Sequence, residues 1–230
     1  MEIIGVLGGM SWPSTLEYYR LMNEAAARRL GPDRSAEILL YSLDWARIER
    51  LQHAGDWDAL AEELITGARR LVLGGAGFLV IATNTMHKVA EAVGAVSGLE
   101  VLHIADATAR ALQAAGVRRA GLLGTRFTME EPFLRDKLAG WGLEVLVPGP
   151  ADREAVHRII YDELVQGEIR EESRRVYRRV MARLAERGAE GIVLGCTEIG
   201  LLVGPEDAPV PVFDTTRIHA EAAVARALGG

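Results

Sequence analysis

The stretch IGVLGG at residues 4–9 decides the fold, because a short apolar run that ends in glycines is typical of a buried strand followed by a tight turn. A similar stretch, AGLLGT, occupies residues 120–125, so Ile4 matches Ala120 at an offset of 116 residues. LVIATN at residues 79–84 matches IVLGCT at residues 192–197, at an offset of 113 residues from Leu79 to Ile192. Two matches at nearly one offset indicate an internal duplication, although buried strands that end in glycine and threonine also look alike without one.

Around these stretches, short apolar runs alternate with longer amphipathic segments. Strands are predicted at residues 2–7, 36–43, 78–83 and 99–105, and the same rhythm of strands and helices repeats in the second half. Such alternation is typical of the α/β class, with mostly parallel sheets flanked by helices. We predict two pseudo-symmetric α/β halves, residues 1–103 plus 212–230 and residues 104–211, with the active site in the cleft between them.

Composition narrows the class of protein. The net charge is -6 and the basic residues are dispersed, which argues against nucleic acid as a partner. No apolar run is long enough for a membrane span and the first residues do not resemble a signal peptide, so we expect a cytoplasmic protein. One Cys and five scattered His predict neither a disulfide framework nor a metal site.

Polar residues cluster in four turns that each follow a predicted strand and precede a predicted helix. The turns are GGMS (8–11), TNT (83–85), GTRFT (124–128) and CTE (196–198). Backbone N–H groups at helix N-termini suit a small anion such as a carboxylate, although the same residues could merely cap helices. The residues predicted to bind the substrate here are Met10, Ser11, Asn84, Thr85, Thr125, Thr128, Thr197 and Glu198.

Two common nucleotide-binding patterns are missing from the first turn. Its glycines do not follow the spacing of the dinucleotide fingerprint, and no Gly-Lys-Ser/Thr follows as it would in a P-loop. No cofactor is therefore expected from these motifs.

Cys196 is the most reactive residue type in the four turns. A helix N-terminus would lower its pKa from the usual ~8.5 and favour the nucleophilic thiolate. A cysteine at the end of a buried strand could also be inert core. Because Thr197 and Glu198 flank it and a matching turn holds Thr83, we predict that Cys196 is catalytic.

At these residues the sequence resembles the aspartate/glutamate racemase family, within the wider Asp/Glu/hydantoin racemase superfamily. The motifs GVLGGMS, NTMH, LLGT, LGCTEI and DTTRIHA occur in the order and spacing usual for that family. The resemblance implies two α/β domains, cofactor-independent racemisation or epimerisation of amino acids, and a homodimer.

The resemblance also implies one acid/base residue on each face of the substrate's α-carbon, and in the usual pattern both are cysteines. Cys196 matches the second of these positions and Thr83 matches the first, as in a subset of the family with Thr here. Since a Thr hydroxyl is a very weak base, we expect a one-sided enzyme with Cys196 as its main acid/base. By resemblance, the preferred substrate is the L-enantiomer.

Two further residues follow from the resemblance and from their chemistry. Arg47 lies after the second strand, where the family places an Arg that pairs with the distal carboxylate of the substrate. Some members of the family add a Lys from the second half for the same carboxylate, but the corresponding residues 159–167 carry no Lys or Arg here. Neutral polar amino acids such as homoserine therefore remain candidate substrates beside aspartate and glutamate. His87, four residues after Thr83, is expected to support the site, with direct acid/base action as the alternative.

Two other functions are compatible with these residues. A decarboxylase of substituted malonates from the same superfamily would use a single cysteine to protonate one face of its product. A non-catalytic protein that binds an amino acid would need the anion-binding turns and no second thiol.

Overall fold

The computed structural model describes residues 1–230 and divides them into two compact units. The first unit comprises residues 1–104 and 219–230, and the second comprises residues 105–218. Each unit has its own parallel sheet flanked by helices, which confirms the predicted α/β class. No helix combines the length and the apolar character needed to cross a membrane.

The first sheet has three parallel strands in the order β2-β1-β3, namely β1 (Ile4–Gly8), β2 (Ile38–Ser42) and β3 (Phe78–Ile81). The second sheet has the order β5-β4-β6-β7, with β4 (Arg119–Gly124), β5 (Glu144–Leu146), β6 (Gly191–Gly195) and β7 (Val212–Asp214). β7 pairs with β6, so residues 212–214 belong to the second sheet, whereas the sequence had assigned residues 212–230 to the first domain. The pairing of Val212 with Ile192 is the physical reason for the difference.

Helices connect successive strands, as parallel pairing requires. Along the chain they are α1 (Trp12–Leu30), α2 (Trp45–Ala54), α3 (Trp57–Leu73), α4 (Ala90–Ser97), α5 (Ile104–Ala114), α6 (Arg126–Glu130), α7 (Pro132–Gly140), α8 (Pro150–Asp162), α9 (Glu171–Glu186), α10 (Ile199–Leu202) and α11 (Thr215–Ala227). Short 3₁₀ turns occupy Thr85–Val89, Leu164–Gln166 and Pro205–Asp207.

Alternating side chains of the central strand face opposite layers of helices in the first unit. Ile4 and Val6 of β1 pack with Tyr18 of α1 and Val224 of α11, whereas Leu7 packs with residues of α3. Full burial of one such aliphatic side chain contributes about 1.5–3 kcal/mol to stability. Packing on both faces therefore fixes the position of the strand ends where the polar turns begin.

Two elements predicted to follow β3 differ from the structure. Residues 99–105 were expected to form a fourth strand, but only Val101 makes a bridge, to Leu79, and α5 already begins at Ile104. The helix expected over residues 85–96 is a 3₁₀ turn followed by α4, because the His87 N–H donates to the Asn84 carbonyl three residues back, at 3.1 Å.

Candidate functional site

In the two sheets, β3 pairs with β1 and β6 pairs with β4 in the same register. Leu7 of β1 pairs with Ile81 of β3, and Leu123 of β4 pairs with Leu194 of β6. These pairs occupy the same place in the two matching stretches of sequence. The strand ends of the two units are therefore equivalent residue by residue.

Thr83 and Cys196 stand at that equivalent position, each two residues beyond the paired residue of its strand. Both side chains are partly buried. Thr83 follows β3 and Cys196 follows β6, each at the carboxyl edge of its own parallel sheet. In open α/β sheets this edge is where ligands bind.

In the second unit, the turn after β6 joins a thiol to a carboxylate. The Cys196 thiol donates to Glu198 Oε2 at 3.0 Å, and the Thr197 hydroxyl donates to the same oxygen at 2.7 Å. Glu198 is buried, at 5 % exposed. The carboxylate thus holds both hydrogen-bond donors of the Cys-Thr-Glu motif in place.

The protonation state of Cys196 differs from the sequence expectation. Burial and the neighbouring Glu198 carboxylate raise the pKa of the thiol well above its usual value, so the resting residue is the thiol. The expectation of a thiolate at a helix N-terminus is wrong for this structure. The helix that follows, α10, has only four residues, and the acceptor nearest the sulfur is an anion.

Tyr177 of the second unit was not singled out in the sequence, yet it lies close to Cys196. Tyr177 is fully buried in the core cluster against which Cys196 packs. Its pKa is raised well above 10, first by burial and then by the nearby Cys196, Glu163 and Glu198. No local pattern marks Tyr177, because it lies on α9, 19 positions before Cys196.

In the first unit, the turn after β3 is held by backbone hydrogen bonds. The Thr83 N–H donates to the Ile81 carbonyl at 2.8 Å, and the Thr83 carbonyl accepts from His87 Nδ1 at 2.8 Å. Asn84 and Thr85 are both buried, at 2 % and 8 % exposed. The turn therefore presents the Thr83 side chain from a fixed backbone.

His87 is a buried, neutral residue in this structure. Its Nδ1 faces the Thr83 carbonyl, and its Nε2 accepts from the Ile104 N–H at 3.2 Å. Burial and the neighbouring His103 hold the pKa of His87 well below its usual 6.5. Both ring nitrogens are occupied by the backbone, which favours the supporting role over direct acid/base action.

Three of the five histidines, although scattered in the sequence, lie close together in the structure. His87 lies with His103 and His219 in the first unit, at ring-centroid distances of 4.6 Å and 5.5 Å. The three residues are 16 or more positions apart in the chain, so no local spacing could reveal the cluster.

The turn after β1 is a network of hydroxyls. The Gly9 N–H donates to Thr15 Oγ1 at 2.7 Å, and that hydroxyl donates to the Ser11 carbonyl at 2.9 Å. Ser11 and Ser14 share a hydrogen bond at 3.2 Å, and Met10 is buried. Gly9 has a φ of +85°, and a Cβ there would lie 2.1 Å from the Leu43 carbonyl, so only glycine fits.

The equivalent turn of the second unit follows β4. Thr125 Oγ1 accepts from the Thr128 N–H at 3.4 Å and lies 3.2 Å from the Thr128 hydroxyl. Both side chains are buried. These contacts are those of a helix cap for α6, and they leave a substrate-binding role as a prediction.

Arg47 lies on α2, and its guanidinium meets a carboxylate of its own unit. Arg47 Nη2 is 2.5 Å from Glu63 Oε1 on α3, and the Arg47 side chain is 57 % exposed. From the same helix, Gln52 donates to Met86 Sδ at 3.3 Å, so α2 packs on the 3₁₀ turn that follows Thr83. Glu63 thus orients the guanidinium without burying it.

Comparison with known proteins identifies the family. Residues 7–223 match the pattern of the Asp/Glu/Hydantoin racemase family. A Yersinia pestis protein provisionally named an Asp/Glu racemase has a similar structure, with 53 % identity, 99 % of this chain and 100 % of that chain covered, and a TM-score of 0.93.

Two more distant relatives agree with this match. An aspartate racemase homologue from Pyrococcus horikoshii OT3 has 32 % identity over 99 % of this chain and 100 % of its own, with a TM-score of 0.88. The broad specificity amino-acid racemase RacX of Bacillus subtilis (strain 168) is 21 % identical over 96 % of each chain. The chain belongs to the Asp/Glu/hydantoin racemase family, and racemases are a class of isomerase.

Proposed function

We propose that this member of the Asp/Glu/hydantoin racemase family racemises aspartate, glutamate or a related polar amino acid without a cofactor. Cys196 is the main acid/base, Thr83 serves the opposite face of the α-carbon, and the L-enantiomer is the preferred substrate. The observation that carries the proposal is the equivalent position of Thr83 and Cys196 at the ends of matching strands. The preference for the L-enantiomer rests on the resemblance to the family.

The chemistry demands both acid/base groups and a polar site. The α-C–H bond breaks as one group takes the proton, and the electron pair spreads into the carboxylate to give an ene-diolate-like species. Hydroxyls and backbone N–H groups directed at this carboxylate stabilise the developing charge. A proton then returns to the opposite face from a second group, which completes the inversion.

The high pKa of Cys196 gives the thiol and thiolate unequal roles. As a thiol, Cys196 is ready to protonate the planar intermediate. To remove an α-proton it must first lose its own proton, and Glu198 opposes that loss because two anions would then lie side by side. The α-ammonium group of a bound amino acid offsets this repulsion, so substrate binding itself would favour the thiolate.

Thr83 makes the two directions of reaction unequal. Its hydroxyl can donate a proton to the intermediate, but it is too weakly acidic to be ionised at neutral pH, and the neutral hydroxyl is a very weak base. Proton removal at the Thr83 face is therefore expected to be the slow direction. After Cys196 has taken the α-proton, a proton reaches the opposite face either from water or from the Thr83 hydroxyl, and in the second case a water proton replaces the one that Thr83 gave.

Arg47 supplies the positive charge for a distal carboxylate in this proposal. Its ion pair with Glu63 uses one edge of the guanidinium and leaves further N–H groups for a ligand. A single exposed cation discriminates weakly between aspartate, glutamate and a neutral polar amino acid. This is why the substrate is proposed as a class.

A racemisation screen tests the proposal. Pure D- and L-forms of aspartate, glutamate and homoserine are incubated with the wild-type protein and with Cys196→Ala, and the enantiomers are separated by chiral chromatography. We expect turnover by the wild type and a loss of about 1,000-fold in Cys196→Ala, within the range of an acid/base group. Full activity in Cys196→Ala would refute the role of the thiol.

The same screen separates the alternatives. Carbon dioxide release from arylmalonates without racemisation would indicate the single-cysteine decarboxylase. Binding of an amino acid by calorimetry, with no turnover of either enantiomer, would indicate a binding protein.

A further inference from the structure

Tyr18, His219 and His87 form a buried hydrogen-bonded arrangement behind the Thr83 turn. The Tyr18 hydroxyl lies 2.8 Å from His219 Nδ1, and His219 Nε2 lies 2.8 Å from the Leu102 carbonyl. Two residues later, the Ile104 N–H donates to His87 Nε2. Tyr18 and His219 are 0 % exposed and His87 is 3 % exposed.

The partners determine which nitrogen of each ring carries the proton. An N–H group can only donate, so His87 Nε2 is bare and its proton sits on Nδ1, where it is donated to the Thr83 carbonyl. A carbonyl can only accept, so the His219 proton sits on Nε2 and is donated to Leu102. His219 Nδ1 is then the acceptor for the Tyr18 hydroxyl. The two rings hold opposite neutral tautomers.

The residues between the two rings link them mechanically. His219 holds the carbonyl of Leu102, and the N–H of Ile104 holds His87. The Leu102 N–H also donates to the Leu79 carbonyl of β3 at 2.9 Å, so this segment is attached to the strand that leads into Thr83. A shift of the Leu102 carbonyl would therefore be felt at the His87 ring and, through it, at the Thr83 carbonyl.

We propose that Tyr18 and His219 are positioning residues for the Thr83 face of the reaction, acting through residues 102–104 and the fixed Nδ1–H tautomer of His87. The inference rests on the proposed role of Thr83. Neither residue touches the substrate in this account, and neither exchanges protons with it. They set where the Thr83 hydroxyl stands, by fixing the backbone that carries it.

A change at Tyr18 should act on one face of the reaction only. Tyr18→Phe leaves the ring in the core but removes the single donor to His219 Nδ1, and an unmet buried acceptor costs about 1–3 kcal/mol. His219 can relieve that cost by moving its proton to Nδ1, which takes the donor away from Leu102. The Cys196 turn is held by different contacts, from the Cys196 thiol and the Thr197 hydroxyl to Glu198.

The first test reads the tautomers directly and does not depend on activity. Imidazole ¹⁵N shifts of the wild-type protein near neutral pH should show His87 protonated at Nδ1 and His219 protonated at Nε2. Changing the exposed His53 to Asn assigns one of the five histidine signals and should leave those of His87 and His219 unaltered. Either ring in the opposite tautomer, or charged at neutral pH, would overturn the proposal.

The second test separates positioning from a purely structural role. In deuterium oxide, Cys196 acting alone exchanges the α-proton with retention, whereas inversion also requires the Thr83 face. Tyr18→Phe should lower the ratio of inversion to retained exchange about tenfold, mainly in kcat. The control is Tyr19→Phe, on the same helix but 53 % exposed, which should leave the ratio unchanged.

The results distinguish a failure of the positioning role from a failure of the proposed function. An unchanged ratio in a folded Tyr18→Phe variant, or an equal fall of both rates, would contradict positioning. If the wild type shows no exchange that depends on Cys196, the proposed function fails. In that case the ¹⁵N shifts of His87 in Tyr18→Phe still test the mechanical link between the two rings, since shifts identical to those of the wild type would refute it.

Discussion

The turns around Thr83 and Cys196 occupy the same place in two similarly built sheets, yet their surroundings differ. The Thr83 turn is fixed through its backbone by a neutral imidazole, and no charged group is bonded to its carbonyl. The Cys196 turn is fixed through its side chains by a buried carboxylate. The difference shows that two equivalent strand ends can carry turns that are held by different partners, a backbone carbonyl and an imidazole in one and a carboxylate in the other.

Restoring a thiol to the first turn removes the main difference between the two. Thr83→Cys should raise the rate of the slow direction about 100-fold, since a positioned acid/base group contributes that much or more. Rates from pure L- and pure D-substrate, measured by chiral chromatography, should approach each other. Thr83→Ser is the control, because it keeps a hydroxyl and should leave the two rates unequal. A Thr83→Cys variant as one-sided as the wild type would contradict the assignment.

Acid should weaken the first unit before the second, because only the first buries neutral histidines. The pKa of His219 is lowered to about 3, mainly by burial, and that of His87 is lowered as well. The unfolded chain binds protons below pH ~6.5 while the folded one does not, so stability falls with decreasing pH. The expected loss is about 1.4 kcal/mol per pH unit for each histidine once the pH is below that value.

Amide hydrogen exchange, corrected for its intrinsic pH dependence, measures this effect. Between pH 6.5 and 5.5, protection of β1 and β3 should fall more than protection of β4 and β6. This interval lies above the range in which ordinary carboxylates titrate, so the histidines dominate it. Equal changes in the two sheets would refute the histidine contribution.

Arg47 tests whether the first unit selects the substrate. Arg47→Leu should raise KM for aspartate and glutamate about tenfold and leave homoserine almost unchanged, as expected for loss of a charge-assisted hydrogen bond. Arg50→Leu, three residues further on the same helix, is the matched control. Equal losses for acidic and neutral substrates would argue against the role of Arg47.

Glu198→Gln should shift the pKa of Cys196, the smallest effect that we predict, and it tests the Cys196 turn alone. Removing the charge lowers the pKa of Cys196, while burial still holds it above the usual value. Because Cys196 is the only cysteine, its rate of alkylation by iodoacetamide against pH reports this pKa directly. The exposed Glu206→Gln serves as control. An unchanged or higher pKa in Glu198→Gln would contradict the electrostatic role of Glu198.

Local sequence patterns predicted the frame of the site well. Apolar runs that end in Gly or Thr marked β1, β3, β4 and β6. The repeated offset between the two halves aligned Thr83 with Cys196. These features depend on periodicity and on residues adjacent in the chain. For the same reason, the Cys-Thr-Glu motif pointed to a carboxylate close to the thiol.

Features that depend on distant residues could not be predicted in this way. The pKa of the Cys196 thiol depends on where the Glu198 side chain points and on burial by residues such as Tyr177. Neither can be read from the spacing of residues in the sequence. His87 and His219 come together although 132 positions separate them (219 − 87). The partner of Arg47 was missed for the same reason, since Glu63 lies on the next helix.

The most direct test of the central claim is α-proton exchange of each pure enantiomer in deuterium oxide, followed by NMR at early times. With Cys196 as the only thiol and Thr83 proposed for the opposite face of the α-carbon, we predict rapid exchange from the L-enantiomer and exchange at least about tenfold slower from the D-enantiomer. Cys196→Ala should abolish the rapid exchange. Equal exchange rates from the two enantiomers would contradict the account.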